Sequence, residues 1–201
     1  DLSAAVKSFE RALAISPDYA DAHFSLGNVL LVSTKVSRDK VILEAAIESY
    51  TQTLRINPDH ADAHSNLGSA LQEKGDMTKA IESYIRALEI KPDFTIARSF
   101  KLYQQALICD WGAIETDRHL IPGLGVSTDF VDPFFLLALE DRPARHRQRS
   151  ELFAQSKCKG RDTALPALAP PSKQPERLRI GYFSGDFHVH PVMQLIVKML
   201  E

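Results

Sequence analysis

His188, Val189, His190 and Pro191 place two imidazoles at the head of a predicted helix, directly after an apolar run that ends in small residues. The run, Leu178-Arg179-Ile180-Gly181-Tyr182-Phe183, reads as a buried strand, and Ser184-Gly185-Asp186-Phe187 reads as the turn that closes it. In an open α/β sheet such a junction binds ligands, because loops and helix N-termini converge outside the carboxyl ends of the strands. His190 stands just before Pro191, where the helix macrodipole disfavours an imidazolium. A neutral imidazole there can accept a hydrogen bond from an acceptor hydroxyl, as a general base or as an orienting group. The same ring can instead cap the helix and do no chemistry. His188 has no third ligand in sight, so no zinc is expected. Asp186 is expected to hold the turn rather than to react.

The elements that must position these histidines are short, for nearly everything before Leu178 reads as helical. The chain has 201 residues, opens on Asp1 and ends at Glu201 inside a predicted apolar helix. Both ends read as those of a piece of a longer protein. A formal charge of −2 gives no electrostatic case for nucleic acid or an anionic membrane. No apolar run reaches the roughly eighteen residues that a membrane span needs. The two cysteines, Cys109 and Cys158, form no C-x-x-C pattern, which suits a reduced, cytoplasmic protein.

Internal period is the strongest pattern in the first half. Asn57-Pro58-Asp59-His60-Ala61-Asp62-Ala63-His64 recurs as Ser16-Pro17-Asp18-Tyr19-Ala20-Asp21-Ala22-His23, and again, decayed, as Lys91-Pro92-Asp93-Phe94. Pro92 follows Pro58 by 34 residues and Pro58 follows Pro17 by 41, one period plus seven. Gly68 and Ala80 are small so that two helices can approach, and Leu67 and Tyr84 fill the space between them. Gly75 can take the left-handed conformation that ends a helix, and Asp76 can cap the next. The seven extra residues fall within 32–40, as a longer turn or a helix extension. His23 and His64, at equivalent positions, are expected to pack between hairpins rather than to bind metal.

From Thr95 the period decays, as in the capping helix of a solenoid. Asp132-Pro133 and Asp141-Arg142-Pro143 are helix starts, each an acid ahead of a proline in the first turn. Arg142, Arg145, Arg147 and Arg149 read as a solvated face. Pro166, Pro170, Pro171 and Pro175 make a stiff linker.

Leu26-Gly27, Tyr50 and Pro58, then Leu67-Gly68, Ala80, Tyr84, Ala87 and Pro92, resemble tetratricopeptide repeats over residues 1–94. These repeats, Cys109-Asp110-Trp111, Val131-Asp132-Pro133-Phe134, the proline linker and the strand ending in His188-Val189-His190-Pro191 occur in an order that resembles the nucleotide-sugar-dependent protein O-glycosyltransferases. That group includes the O-linked N-acetylglucosamine transferases and the Spindly-like O-fucosyltransferases. The resemblance implies a mainly α chain: repeats (1–94), a capping helix and helical linker region (95–160), a proline-rich linker (161–176), and the first strand and helix of a Rossmann-like lobe (177–201). It implies transfer of N-acetylglucosamine from UDP-GlcNAc to Ser or Thr of intracellular proteins, with no metal and no cofactor beyond the nucleotide-sugar donor. His190 matches the family's active-site histidine, and Gln194 stands where several relatives carry a second one. The donor-binding lobe would lie beyond Glu201, so residues 1–201 alone are expected to be inactive. Asn66 resembles the asparagines that line the repeats and grip an acceptor polypeptide, although the residue one repeat earlier is Ser25. Self-association through the repeats is compatible with the pattern. Two alternatives stay open: a repeat adaptor without activity, or a fucosyltransferase using GDP-fucose.

Overall fold

The structure, a computed structural model, describes residues 2–126 and 131–157, all within a unit that spans residues 1–160. The described residues form α1 (Leu2–Ile15), α2 (Ala20–Ser37), α3 (Lys40–Ile56), α4 (Ala61–Lys74), α5 (Met77–Ile90), α6 (Thr95–Leu107), α7 (Trp111–Asp117) and α8 (Pro143–Lys157). Two 3₁₀ helices, Arg118–Gly123 and Pro133–Leu136, connect the later elements. Each helix from α1 to α6 packs on the next, and α6 also receives α7 and Pro133–Leu136. The linker at 161–176 and the predicted strand and helix at 177–201 lie outside the described residues.

The turns within the hairpins follow the local chemistry that the residues dictate. Gly75 sits at φ 91°, and its N–H donates to the Gln72 carbonyl at 2.9 Å, closing α4. The Asp76 carboxylate then accepts from the Lys79 backbone N–H at 3.3 Å and starts α5. Arg38 and Asp39 do the same work between α2 and α3, with Arg38 left-handed at φ 55° and Asp39 accepting from the Val41 N–H at 2.8 Å. Both turns span two residues, so the seven inserted residues are not in the turn. Helix α2 has 18 residues where α4 has 14, and α3 has 17 where α5 has 14. The insertion adds four residues to one helix and three to its partner. Close to one helical turn on each side keeps both apolar faces in phase.

Between hairpins the link is made the same way three times. His23 Nε2 lies 2.9 Å from the Pro17 carbonyl oxygen, and His64 Nε2 lies 2.9 Å from that of Pro58. At the third turn Arg98 takes the same place, donating to the Pro92 carbonyl at 2.5 Å. Each donor follows its proline by six residues. The proline ends one helix, and the bond ties its freed carbonyl to the first turn of the next. The histidines therefore have a more specific task than packing between hairpins.

The core of each hairpin is a tyrosine laid on a glycine. Tyr50 and Tyr84 are 0% exposed. A Cβ on Gly27 would stand 2.7 Å from the Tyr50 ring, and one on Gly68 would stand 2.7 Å from the Tyr84 ring. Thr53, at the place where α5 has Ala87, is buried because its hydroxyl donates to the Ser49 carbonyl of the same helix at 3.0 Å. Burial pushes both phenols well above the ordinary tyrosine range, and hydrogen bonds from Asn66 and Ser69 only partly offset it. The raised native pKa fixes the sign of a pH effect. The stabilisation is complete below the unfolded value of about 10 and is lost as the pH rises above it. An unfolding series at increasing alkaline pH should show falling stability from about pH 10, and Tyr84→Phe should make the fall shallower.

A second core gathers Leu102, Ile114, Ile121, Leu124, Val131 and Leu136. Arg149 of α8 organises it, and here the solvated-face expectation is corrected. Arg149 is 0% exposed, donating from Nε to the Leu124 carbonyl at 2.8 Å and from Nη2 to the Ile121 carbonyl at 2.7 Å. Its Nη1 pairs with Glu140 at 2.8 Å, and Arg145 binds the same carboxylate. Burial and the neighbouring Arg145 charge lower the Arg149 pKa from its usual value. Arg142 and Arg147 are exposed and match the expectation, Arg147 paired with Glu151 at the surface. A second buried pairing joins Asp117 to Arg98 and Lys101, at 3.2 and 2.6 Å.

Candidate functional site

Helices α2, α4 and α6 are the first helices of successive pairs, and one face of them carries equivalent residues in register. Counting by 41 and then 34, Ser25, Asn66 and Phe100 occupy one position, and Asn28, Ser69 and Tyr103 occupy another. Asn66 is half-buried on α4, and its Nδ2 donates to Oδ1 of Asn28 on α2 at 2.7 Å. The same Asn28 oxygen accepts from the Tyr50 hydroxyl at 2.9 Å. One buried phenol thus fixes two amides, one on each helix.

The orientation this imposes decides what the pair can do. Asn28 turns its carbonyl inward and has its amide N–H donors left over. Asn66 spends an N–H inward and has its Oδ1 left over. Among the described residues no group takes either of them. A free donor beside a free acceptor matches the N–H and C=O of an extended polypeptide backbone, which every sequence presents. One pair further, Ser69 stands in for Asn28, with its hydroxyl 3.2 Å from the Tyr84 hydroxyl.

On α6 the amide character ends. Phe100 stacks on Tyr84 at 5.6 Å between ring centroids with the planes 7° apart. Phe135, from the 3₁₀ helix Pro133–Leu136, lies 4.9 Å from Phe100 and 4.7 Å from Tyr103. Phe134 meets the Tyr103 ring edge-on at 6.1 Å and is 61% exposed.

Of the two residues singled out in the sequence, Asn66 lies on this face, whereas His190 lies outside the described residues and is not brought to it. Asn28 was missed, because the repeat alignment pairs Asn66 with Ser25. A signal for it existed: a buried tyrosine hydroxyl needs a partner, and the residue after each glycine faces it. The two motifs of the middle region prove to be helix starts. Asp110 accepts from the Ala113 N–H at 3.1 Å to begin α7, after Cys109 at φ 59°. Asp132 accepts from the Phe134 N–H at 3.0 Å to begin the second 3₁₀ helix, which is four residues long. Among the described residues no three His, Cys, Asp or Glu side chains group as metal ligands, and no helix is long and apolar enough to cross a membrane.

Comparison with known proteins agrees with the helix pairs. Residues 61–94 match the tetratricopeptide repeat model, and residues 1–31 and 43–75 match a second repeat model of the same kind. The stretch between those two matched segments holds the lengthened end of α2 and the start of α3. No curated protein matches the chain in sequence. Among solved structures, two of MamA are similar. One is 18% identical over 77% of this chain and 66% of its own, with a TM-score of 0.44. The other is 19% identical over 84% and 70%, with a TM-score of 0.46. An O-GlcNAc transferase mutant of Thermobaculum terrenum is 24% identical over 98% of this chain, with a TM-score of 0.46, and this chain spans 30% of its length. The hairpins built on Gly27–Tyr50 and Gly68–Tyr84 are tetratricopeptide repeats, a protein-binding type of repeat.

Proposed function

We propose that the amide-lined face of α2 and α4 holds an extended acceptor polypeptide for a protein O-glycosyltransferase. The donor would be UDP-GlcNAc and the acceptor atom a Ser or Thr hydroxyl, with no metal or cofactor needed. The observation that carries the binding half is the Asn28–Asn66 pair, with a donor and an acceptor left to face a backbone. The transfer half rests on the order of the sequence motifs that ends at His190-Pro191. His190 would accept a hydrogen bond from the acceptor hydroxyl, as base or orienting group, and a lobe encoded beyond Glu201 would bind the nucleotide. The protein would act in the cytoplasm.

The repeats by themselves equally support an adaptor that only binds proteins, and one assay separates the two. The protein extended past Glu201 is incubated with labelled UDP-GlcNAc or GDP-fucose and a Ser/Thr-rich polypeptide. Label is expected on the polypeptide from UDP-GlcNAc, and His190→Ala should lower the rate by roughly 10²–10⁴-fold with little change in donor affinity. No label from either donor would favour the adaptor, and label from GDP-fucose alone would make it a fucosyltransferase.

A further inference from the structure

The binding face does not run on evenly through α6. Phe100 and Tyr103 stand at the positions that Asn66 and Ser69 hold on α4. They are covered by Phe135 and edged by Phe134, both from the 3₁₀ helix Pro133–Leu136. That helix is anchored three ways. The Asp132 carboxylate caps it, Leu136 is 0% exposed in the second core, and Phe135 is set into the pair of α6 rings. The chain's own residues thus fill the third helix's share of a face that its first two helices leave open.

We propose that Phe134 and Phe135 are an end-stop that limits a bound polypeptide to α2 and α4 and so sets the length of chain the repeats grip. This rests on the reading that Asn28 and Asn66 hold polypeptide backbone. Packed helices lie roughly 8–10 Å apart and an extended chain advances roughly 3.3 Å per residue. Each first helix therefore spans about three residues of bound chain. Two open helices accommodate about six residues, and a third would bring the span to about nine. Past the stop the polypeptide must leave the face. The amides read no sequence, but the stop fixes which few residues are held.

The test is a length series. Fluorescein-labelled peptides of alternating Gly, Ser and Thr, about 4, 6, 9 and 12 residues long, are titrated against the whole chain by fluorescence anisotropy. Affinity should rise from the shortest to about six residues and then stay flat within about twofold. In Phe134→Ala/Phe135→Ala it should keep rising to about nine residues, by roughly 2–10-fold. Asp132→Ala, which touches neither ring, should move the plateau in the same direction and serves if the double variant melts early. A parent whose affinity climbs past six residues overturns the end-stop, and so does a plateau that neither variant moves. If Asn66→Ala changes no affinity while the plateau still shifts, the amide grip is wrong and the stop stands. If no peptide binds at all, both fall.

Discussion

Arg149→Met is expected to lower the unfolding free energy by about 3–5 kcal/mol, the usual result of removing one partner from a buried ion pair. Methionine keeps much of the volume but supplies no donor. The carbonyls of Ile121 and Leu124 would lose donors now at 2.7 and 2.8 Å, and Glu140 would keep only Arg145. Unmade bonds of this kind cost more than the same bonds contribute when made. Arg149→Met/Glu140→Leu should recover part of the loss, because no charge is then left buried without its partner. Trp111, the only tryptophan, opens α7 beside this core and reports its unfolding by fluorescence. If Arg149→Met unfolds in urea at the parent midpoint, α8 is not held by its arginine.

Gly68→Leu should cost about 1–3 kcal/mol, the range typical of overpacking. The Tyr84 ring already stands 2.7 Å from where the new Cβ would sit. It cannot swing away, because Phe100 stacks on it and its hydroxyl is tied to Ser69 on α4. Gly27→Leu should behave alike against Tyr50, and the two losses should nearly add, since the sites belong to different hairpins. Leucine is a better helix former than glycine, so propensity alone predicts the opposite sign. A Gly68→Leu protein with the parent midpoint in denaturant would mean that the hairpin is not packed on this contact.

These two sites differ in how plainly the sequence announced them. Gly68 and Tyr84 were legible because a close helix approach demands a small residue opposite a large one, and both have a counterpart one repeat earlier, Gly27 at 41 residues and Tyr50 at 34. The seven-residue insertion was half legible. Its place was evident, but nothing local to residues 32–40 shows that four residues would join α2 and three α3. That division follows from keeping two faces in phase, which is a property of the pair. Arg149 was hidden because two of its partners are the backbone carbonyls of Ile121 and Leu124, 28 and 25 residues away in sequence, and no side chain there announces an arginine partner. Asn28 was hidden for a related reason. Its orientation is set by the Tyr50 hydroxyl, 22 residues away in sequence, and not by its place in the repeat.

The account turns on whether Asn28 and Asn66 grip a backbone, and a mutant cycle on peptide binding tests that most directly. A Gly/Ser/Thr peptide of about six residues is titrated against the parent, Asn28→Ala, Asn66→Ala and the double variant, with folding checked by thermal melts. Each hydrogen bond to the peptide contributes about 0.5–1.5 kcal/mol, so each single variant should bind roughly 2–10-fold more weakly. Because each amide orients the other at 2.7 Å, the double variant should be little worse than either single one. Affinities that stay at the parent value in all three variants would contradict the account.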